Sequence, residues 1–218
     1  MSWSRHTHRR RAQYHHGNLR EALIEAALAL ITEHGPLGFT FAEAARQAGV
    51  SPAAPYRHFR DRDDLLAGIA RSGFERFAEA LAAAWNSGTP DPIAALQRLG
   101  RAYLDFAREQ PGYYAAMFEA GISPESSTEL RDVSERAFAI LRDAAETVSF
   151  KLPKERRPPA LMMALHIWSL SHGVASLFAR PGGVHRPLPM SPDDLLEAGV
   201  LVYMQGLGLV GGDTHASP

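Results

Sequence analysis

Residues 40–66 read TFAEAARQAGVSPAAPYRHFRDRDDLL, and this stretch decides the fold. Thr40 followed by Glu43 is a capping box: the hydroxyl accepts from the third helical N–H, and the carboxylate reaches back to the cap. Phe41, Ala44, Ala45 and Ala48 then share one helical face, so a short helix begins here. Gly49 ends it, because glycine makes the left-handed closing turn without a Cβ penalty. Val50 can plug that turn. A second short helix is expected from Ser51-Pro52 to about Phe59. Pro55 conflicts with it, since proline removes the first intrahelical bond and biases Ala54 away from the α region. Either the first turn is distorted or the regular helix begins near Pro55.

Two short helices about a glycine turn form a helix-turn-helix unit, whose second helix fits a major groove. They cannot bury enough surface alone. Upstream, Leu19, Leu23, Ala26, Ala27, Leu30 and Ile31 form one stripe of a helix that Asn18 can cap, with Glu21 at its third position, and that His34-Gly35-Pro36 stops. Downstream, a helix opens at Asp61 with Asp63 and Asp64 in its first turn, where the helix dipole favours acids. Its stripe is Leu65, Leu66, Ile69, Phe74, Phe77, Leu81 and Trp85, and it stops at Asn86-Ser87-Gly88. The first helix and the start of this one complete a small three-helix core.

The same grammar of a cap followed by proline recurs. Asp91-Pro92 opens a helix to about Gln110, Ser123-Pro124 one to about Phe150, and Ser191-Pro192 the last, to about Gly206. Residues 158–179 carry no Asp, Glu, Lys or Arg and make another helix. That run is long enough to span a bilayer. His166, Ser169, Ser171 and His172 near its middle would be costly in lipid, so a buried core or interface helix is expected instead. No segment alternates with period two. The fold class is all-α.

The chain has 218 residues, with 23 Lys+Arg against 24 Asp+Glu and no cysteine. The missing cysteines exclude disulfides, thiolate metal sites and a cysteine nucleophile. The near-neutral balance hides an asymmetry: residues 1–72 are net basic and hold six of the ten histidines, and the remainder is net acidic. A basic head suggests a polyanionic partner. Arg9, Arg10 and Arg11, with Arg5 upstream, are either a solvated tail or an arm along phosphates or in a minor groove. The polar N-terminus has no apolar signal-peptide core, and a cytoplasmic location is expected.

The run GVSPAAPYRHFRDRDDLL over residues 49–66 resembles the signature of the tetracycline-repressor-like (TetR/AcrR) family of bacterial one-component regulators. YHHGNLREALIEAALALITEHG over 14–35 resembles that family's first helix. IWSLSHGVASLF over 167–178 resembles a Trp-His-Gly element of one subgroup. The resemblance implies a ligand-responsive transcriptional regulator, a repressor, that binds a pseudo-palindromic operator as a homodimer and is released by a small, mostly apolar effector. It implies a flexible arm over 1–16, a helix-turn-helix domain over 17–64, a helical ligand-binding and dimerisation domain over 65–210 and a tail over 211–218. Tyr56 and His58 resemble the family's phosphate-contacting pair, and Arg62 occupies the position of its phosphate-clamping lysine.

Residue chemistry adds roles of its own. The Thr40 hydroxyl sits at a helix N-terminus, where N–H groups and the dipole favour phosphate; it is also a plain N-cap. Base reading falls to Pro52, Ala53, Ala54, Tyr56 and Arg57, whose small apolar groups can meet thymine methyls. Phe59 reads as core. With few bidentate donors, shape and phosphate contacts should carry much of the affinity.

A ligand pocket is expected among Tyr103, Phe106, Tyr113, Met117, Phe118, Trp168 and His172, although the same aromatic and Met spacing also fits plain core. Leu161, Ala164, Leu165, Trp168, Ala175 and Phe178 make the penultimate helix apolar on more than one face, and Gly199, Tyr203 and Leu207 give the last helix one stripe. Together they suit a two-fold interface. No metal pair, P-loop, H-E-x-x-H or G-x-S-x-G motif is present, so no cofactor and no enzyme activity are expected. A helical small-molecule carrier without DNA binding is the alternative; it leaves the basic head unexplained.

Overall fold

The computed structural model describes residues 19–179 and 189–211. The basic arm, the Asn18 cap and the tail from residue 212 lie outside the described residues. Eight α-helices are present among those described: α1 Leu19–His34, α2 Phe41–Gln47, α3 Arg62–Trp85, α4 Pro92–Glu109, α5 Pro111–Phe118, α6 Thr128–Ser149, α7 Ala160–Val174 and α8 Pro192–Leu207.

The expected caps do form. Thr40 Oγ1 accepts from the Glu43 N–H, and Glu43 reaches back to the Thr40 N–H at 2.8 Å. Asp61 caps α3, Asp91 caps α4 with Pro92 at its first position, and Ser191 caps α8. Gly49 takes φ of +72°, so its N–H returns to the Arg46 carbonyl at 3.0 Å and closes α2. Asn86 ends α3 in the left-handed region.

Three segments depart from expectation. Residues 51–59 hold no regular α-helix, only a 3₁₀ turn over Pro55–Arg57. Pro55 has no N–H to return to the Ser51 carbonyl. That carbonyl accepts from Ala54 at 2.9 Å instead, and the chain continues through the shorter-ring bonds of Arg57 to Ala54 and His58 to Pro55, with one α-type bond from Phe59 to Pro55 at 3.0 Å. The helix expected from Ser123-Pro124 begins later. Pro124–Ser126 forms one 3₁₀ turn, and Ser127 then recaps the chain by accepting from the Leu130 N–H. A separate helix, α5, follows α4 directly. Pro111 cannot extend α4, but it suits the first position of a new helix.

One contiguous core runs from Leu23 in α1 to Met204 in α8. Helix α3 lies at its centre, against α4, α5 and α6, while α7 packs on α6 and α8. The head is tied to the body a second time where α5 meets α1. A Cβ on Gly112 would lie 3.0 Å from the Leu28 carbonyl oxygen, so the two helices approach closely only because that residue is glycine.

The stretch Ala160–Phe178 is long and apolar enough to cross a membrane by length and composition. Its inner side, including Met163, Ala164, Ile167 and Ala175, packs into the core. Leu161, Met162, Leu165, Leu170 and Leu177 stay exposed, as do Leu201 and Val202 on α8. Residues Ala175–Ala179 form a π turn at the end of α7.

Candidate DNA-reading edge and ligand cavity

The segment between α2 and α3 has an inside and an outside. Pro55 and Phe59 face the core, with Phe59 only 3% exposed. Pro52, Ala53, Tyr56, Arg57 and His58 point outward, and Ala54 is half-buried. Tyr56 is 64% exposed, yet one side of its ring meets Phe41 edge-on at 5.1 Å. A short turn therefore displays on its exposed side the residues expected on a recognition helix. The Thr40 hydroxyl is exposed but engaged, donating to Glu43 Oε2 at 2.9 Å. These bonds from Thr40 hold the Glu43 carboxyl below its ordinary pKa. A phosphate at Thr40 would have to displace that carboxylate.

Arg62 departs from the expected phosphate clamp. Its side chain turns inward over the loop between α1 and α2. Nε donates to the Phe39 carbonyl at 3.0 Å, Nη2 donates to the Pro36 carbonyl, and the guanidinium lies 4.9 Å over the Phe39 ring. Nη1 meets Asp63 at 3.3 Å. The planar fork of arginine suits two backbone carbonyls at once, so this residue holds the helix-turn-helix unit to the start of α3. Sequence reasoning could not see the two carbonyls, which lie 23 and 26 residues away.

In the body, a cavity of about 410 Å³ lies between α3, α4, α5, α6 and α7. Of the seven expected pocket residues, Tyr103, Met117, Phe118 and Trp168 line it. Phe106 sits behind Phe77, ring centroids 5.0 Å apart. Tyr113 is outside, under the Arg76 guanidinium at 5.1 Å. His172 stands behind the wall: its Nδ1 is 2.9 Å from the Tyr103 hydroxyl and 3.0 Å from that of Tyr114. Burial lowers the His172 pKa, and burial together with the neighbouring Tyr114 raises that of Tyr103. Both groups are therefore held neutral.

Several lining residues escaped the sequence reading. Phe74, Phe77 and Leu81 of α3 were visible as a core stripe but not as a cavity wall. On α6, Ser134, Ala137, Phe138 and Leu141 recur at helical spacing and face the same space. Their spacing is the ordinary signal of a buried helix face, and nothing in it separates a wall from a filled core.

A helix-turn-helix unit joined by a continuous helix to an all-helical body with an apolar cavity is the architecture of a helical regulator of transcription. The profile described as "Bacterial regulatory proteins, tetR family" matches residues 23–69, and that described as "Tetracyclin repressor-like, C-terminal domain" matches residues 96–203. The chain belongs to the TetR family of transcriptional regulators. It is 36% identical over 101 residues to the HTH-type transcriptional regulator BetI of Rhizobium meliloti, covering 45% of this chain and 50% of that protein. The match thus spans half the length of that curated relative.

Among solved structures, a protein of unknown function from Rhodococcus sp. RHA1 superposes with a TM-score of 0.73 at 29% identity, covering 89% of this chain and 98% of the other. The TetR family regulator PfmR of Thermus thermophilus shares the fold, with a TM-score of 0.66 at 24% identity over 84% of this chain and 97% of its own.

Proposed function

We propose that this regulator is a repressor that binds a pseudo-palindromic operator as a homodimer in the cytoplasm and leaves it when a small, mostly apolar effector fills the body cavity. The observation that carries the reading is α3. Its first residue, Arg62, grips the carbonyls of Pro36 and Phe39, and Phe74, Phe77 and Leu81 on the same 24-residue helix wall the cavity. A rigid helix in contact with both regions can couple them, provided the ligand binds the two states of the protein differently. The division at residues 64 and 65 falls inside the first turn of α3, so the two functional regions share an element rather than a linker.

Pro52, Ala53, Ala54, Tyr56, Arg57 and His58 form the DNA-reading edge, with Thr40 beside it. Tyr56 and His58 serve phosphates. Two such edges on a two-fold dimer would meet successive major grooves about 34 Å apart, so a small tilt of α3 would lose one half-site. The exposed apolar side chains of α7 and α8 supply the dimer face. The test is a gel shift of the full chain with fragmented genomic DNA, followed by selection of the bound sequences. Recovery of an inverted repeat, with affinity lost on effector binding, is the expected result. Indiscriminate binding of all fragments would overturn the reading.

A further inference from the structure

We infer that the molecule admitted by the body cavity is an uncharged, ring-bearing compound whose polar group is a hydrogen-bond donor, of the phenol or aryl-alcohol class. The inference rests on the reading of this cavity as the effector site and adds the chemistry that the site selects. None of the described residues lining the cavity is charged. A ligand carboxylate or phosphate would therefore be buried without a counter-charge, which a charged group does not tolerate. The walls are the rings of Phe74, Phe77, Phe118, Phe138 and Trp168, and about 410 Å³ of space suits a compact molecule with one or two rings.

The polar atoms at the wall set the sense of the hydrogen bond. Ser134 Oγ donates to the Arg131 carbonyl at 2.9 Å, and Ser171 Oγ donates to the Ile167 carbonyl at 2.9 Å. The third hydroxyl, on Tyr103, lies 2.9 Å from His172 Nδ1 behind the wall. The Tyr114 hydroxyl meets the same Nδ1 at 3.0 Å and Ser176 Oγ at 3.3 Å. His172 Nε2 faces Ser176 Oγ at 3.4 Å, so this polar cluster is closed on itself. The two serine hydrogens are thus engaged by backbone carbonyls, and lone pairs are what these hydroxyls offer a ligand. A hydroxyl or N–H on the ligand finds acceptors at both serines, whereas a carbonyl, ether or carboxylate oxygen finds no serine proton to accept.

The experiment is calorimetry of the full-length protein with three probes that share one ring system: 2-naphthol, 2-methoxynaphthalene and 2-naphthoate. At neutral pH, 2-naphthol should bind once per chain. The methoxy compound should bind about tenfold more weakly, the loss expected for one hydrogen bond in a site without water, and the naphthoate should show no heat. Ser171→Ala with Ser134→Ala should lower 2-naphthol affinity and leave that of 2-methoxynaphthalene unchanged.

Naphthoate or methoxynaphthalene binding as tightly as 2-naphthol would overturn the inference. So would tighter binding of a trimethylammonium analogue, an unchanged naphthol preference in the double variant, or no binding of any probe. A gel shift with saturating 2-naphthol separates the two ideas. Binding that leaves the DNA complex intact would uphold the ligand chemistry and remove the effector role of the cavity.

Discussion

Arg62 Nε donates to the carbonyl oxygen of Phe39 at 3.0 Å, with its guanidinium stacked over the same residue's ring. One side chain thereby joins the first turn of α3 to the loop that launches α2. Arg62→Ala should destabilise the protein by about 1–3 kcal/mol in urea denaturation, because two buried carbonyls lose their partner. Arg62→Lys should do nearly the same, since a single ammonium cannot reproduce the fork. Operator affinity should fall in both variants with the salt slope unchanged. A phosphate contact would behave otherwise: lysine would restore binding, and alanine would flatten the slope.

Arg57 is exposed on the reading edge and should act as a charge. Arg57→Ala should weaken binding to specific and unrelated DNA alike. It should also reduce the slope of log affinity against log salt by about 0.9, the value for one released phosphate contact. Ala53→Lys, beside it, should change which sequences are recovered in selection, because it puts a donor where the edge now offers a methyl group.

The outer face of α7 and α8 leaves Leu165 at 41% and Val202 at 67% exposure. His166 Nδ1 and the Tyr203 hydroxyl, 3.2 Å apart, join the two helices on this face. Leu165→Glu and Val202→Glu should each convert a dimer to a monomer in sedimentation, and operator affinity should fall with dimer population. Ala175, although part of the same apolar helix, is fully buried in the core. Its substitution would test folding rather than assembly. A wild-type monomer that holds an inverted repeat at full affinity would remove the dimer.

The folded-state pKa of His172 lies below its ordinary 6.5 because burial disfavours the imidazolium. The unfolded chain therefore takes up the proton first as pH falls, and stability drops once pH goes below about 6.5. Denaturation midpoints should decline through that range, and His172→Gln should flatten the decline. The carboxyls of Asp64 and Asp91, held low by hydrogen bonds with Arg60 and Lys151, lose their contribution only as pH falls below their ordinary 3.8, so the two windows are separate. A midpoint that falls equally in the Gln variant would exclude His172 as the cause.

Helix boundaries were legible wherever they depend on near neighbours. The Thr40–Glu43 box, the Asp91 and Ser191 caps and the Gly49 turn each involve residues within four positions of one another, and all formed as read. Two local signals competed at the start of α6, where Ser127 outcompeted Ser123 as the cap, and Pro111 opens α5 in a stretch between Gln110 and Ser123 to which the pattern assigns no element. The Pro55 conflict was visible, but its resolution into a 3₁₀ turn depended on Pro55 and Phe59 being buried against the head's core.

The sequence by itself determined an all-helical chain, its helix-turn-helix unit and its family, because capping, periodicity and a contiguous motif are local properties. Only the tertiary structure decided that Arg62 turns to the Pro36 and Phe39 carbonyls, and that four of seven expected residues line the cavity while His172 braces its wall. It also decided that one face of α7 is core and the other open. Those outcomes depend on which helices meet and at what angle. An apolar stripe records that a side chain is to be buried, and leaves its partner, or an empty space, to be set by packing across the chain.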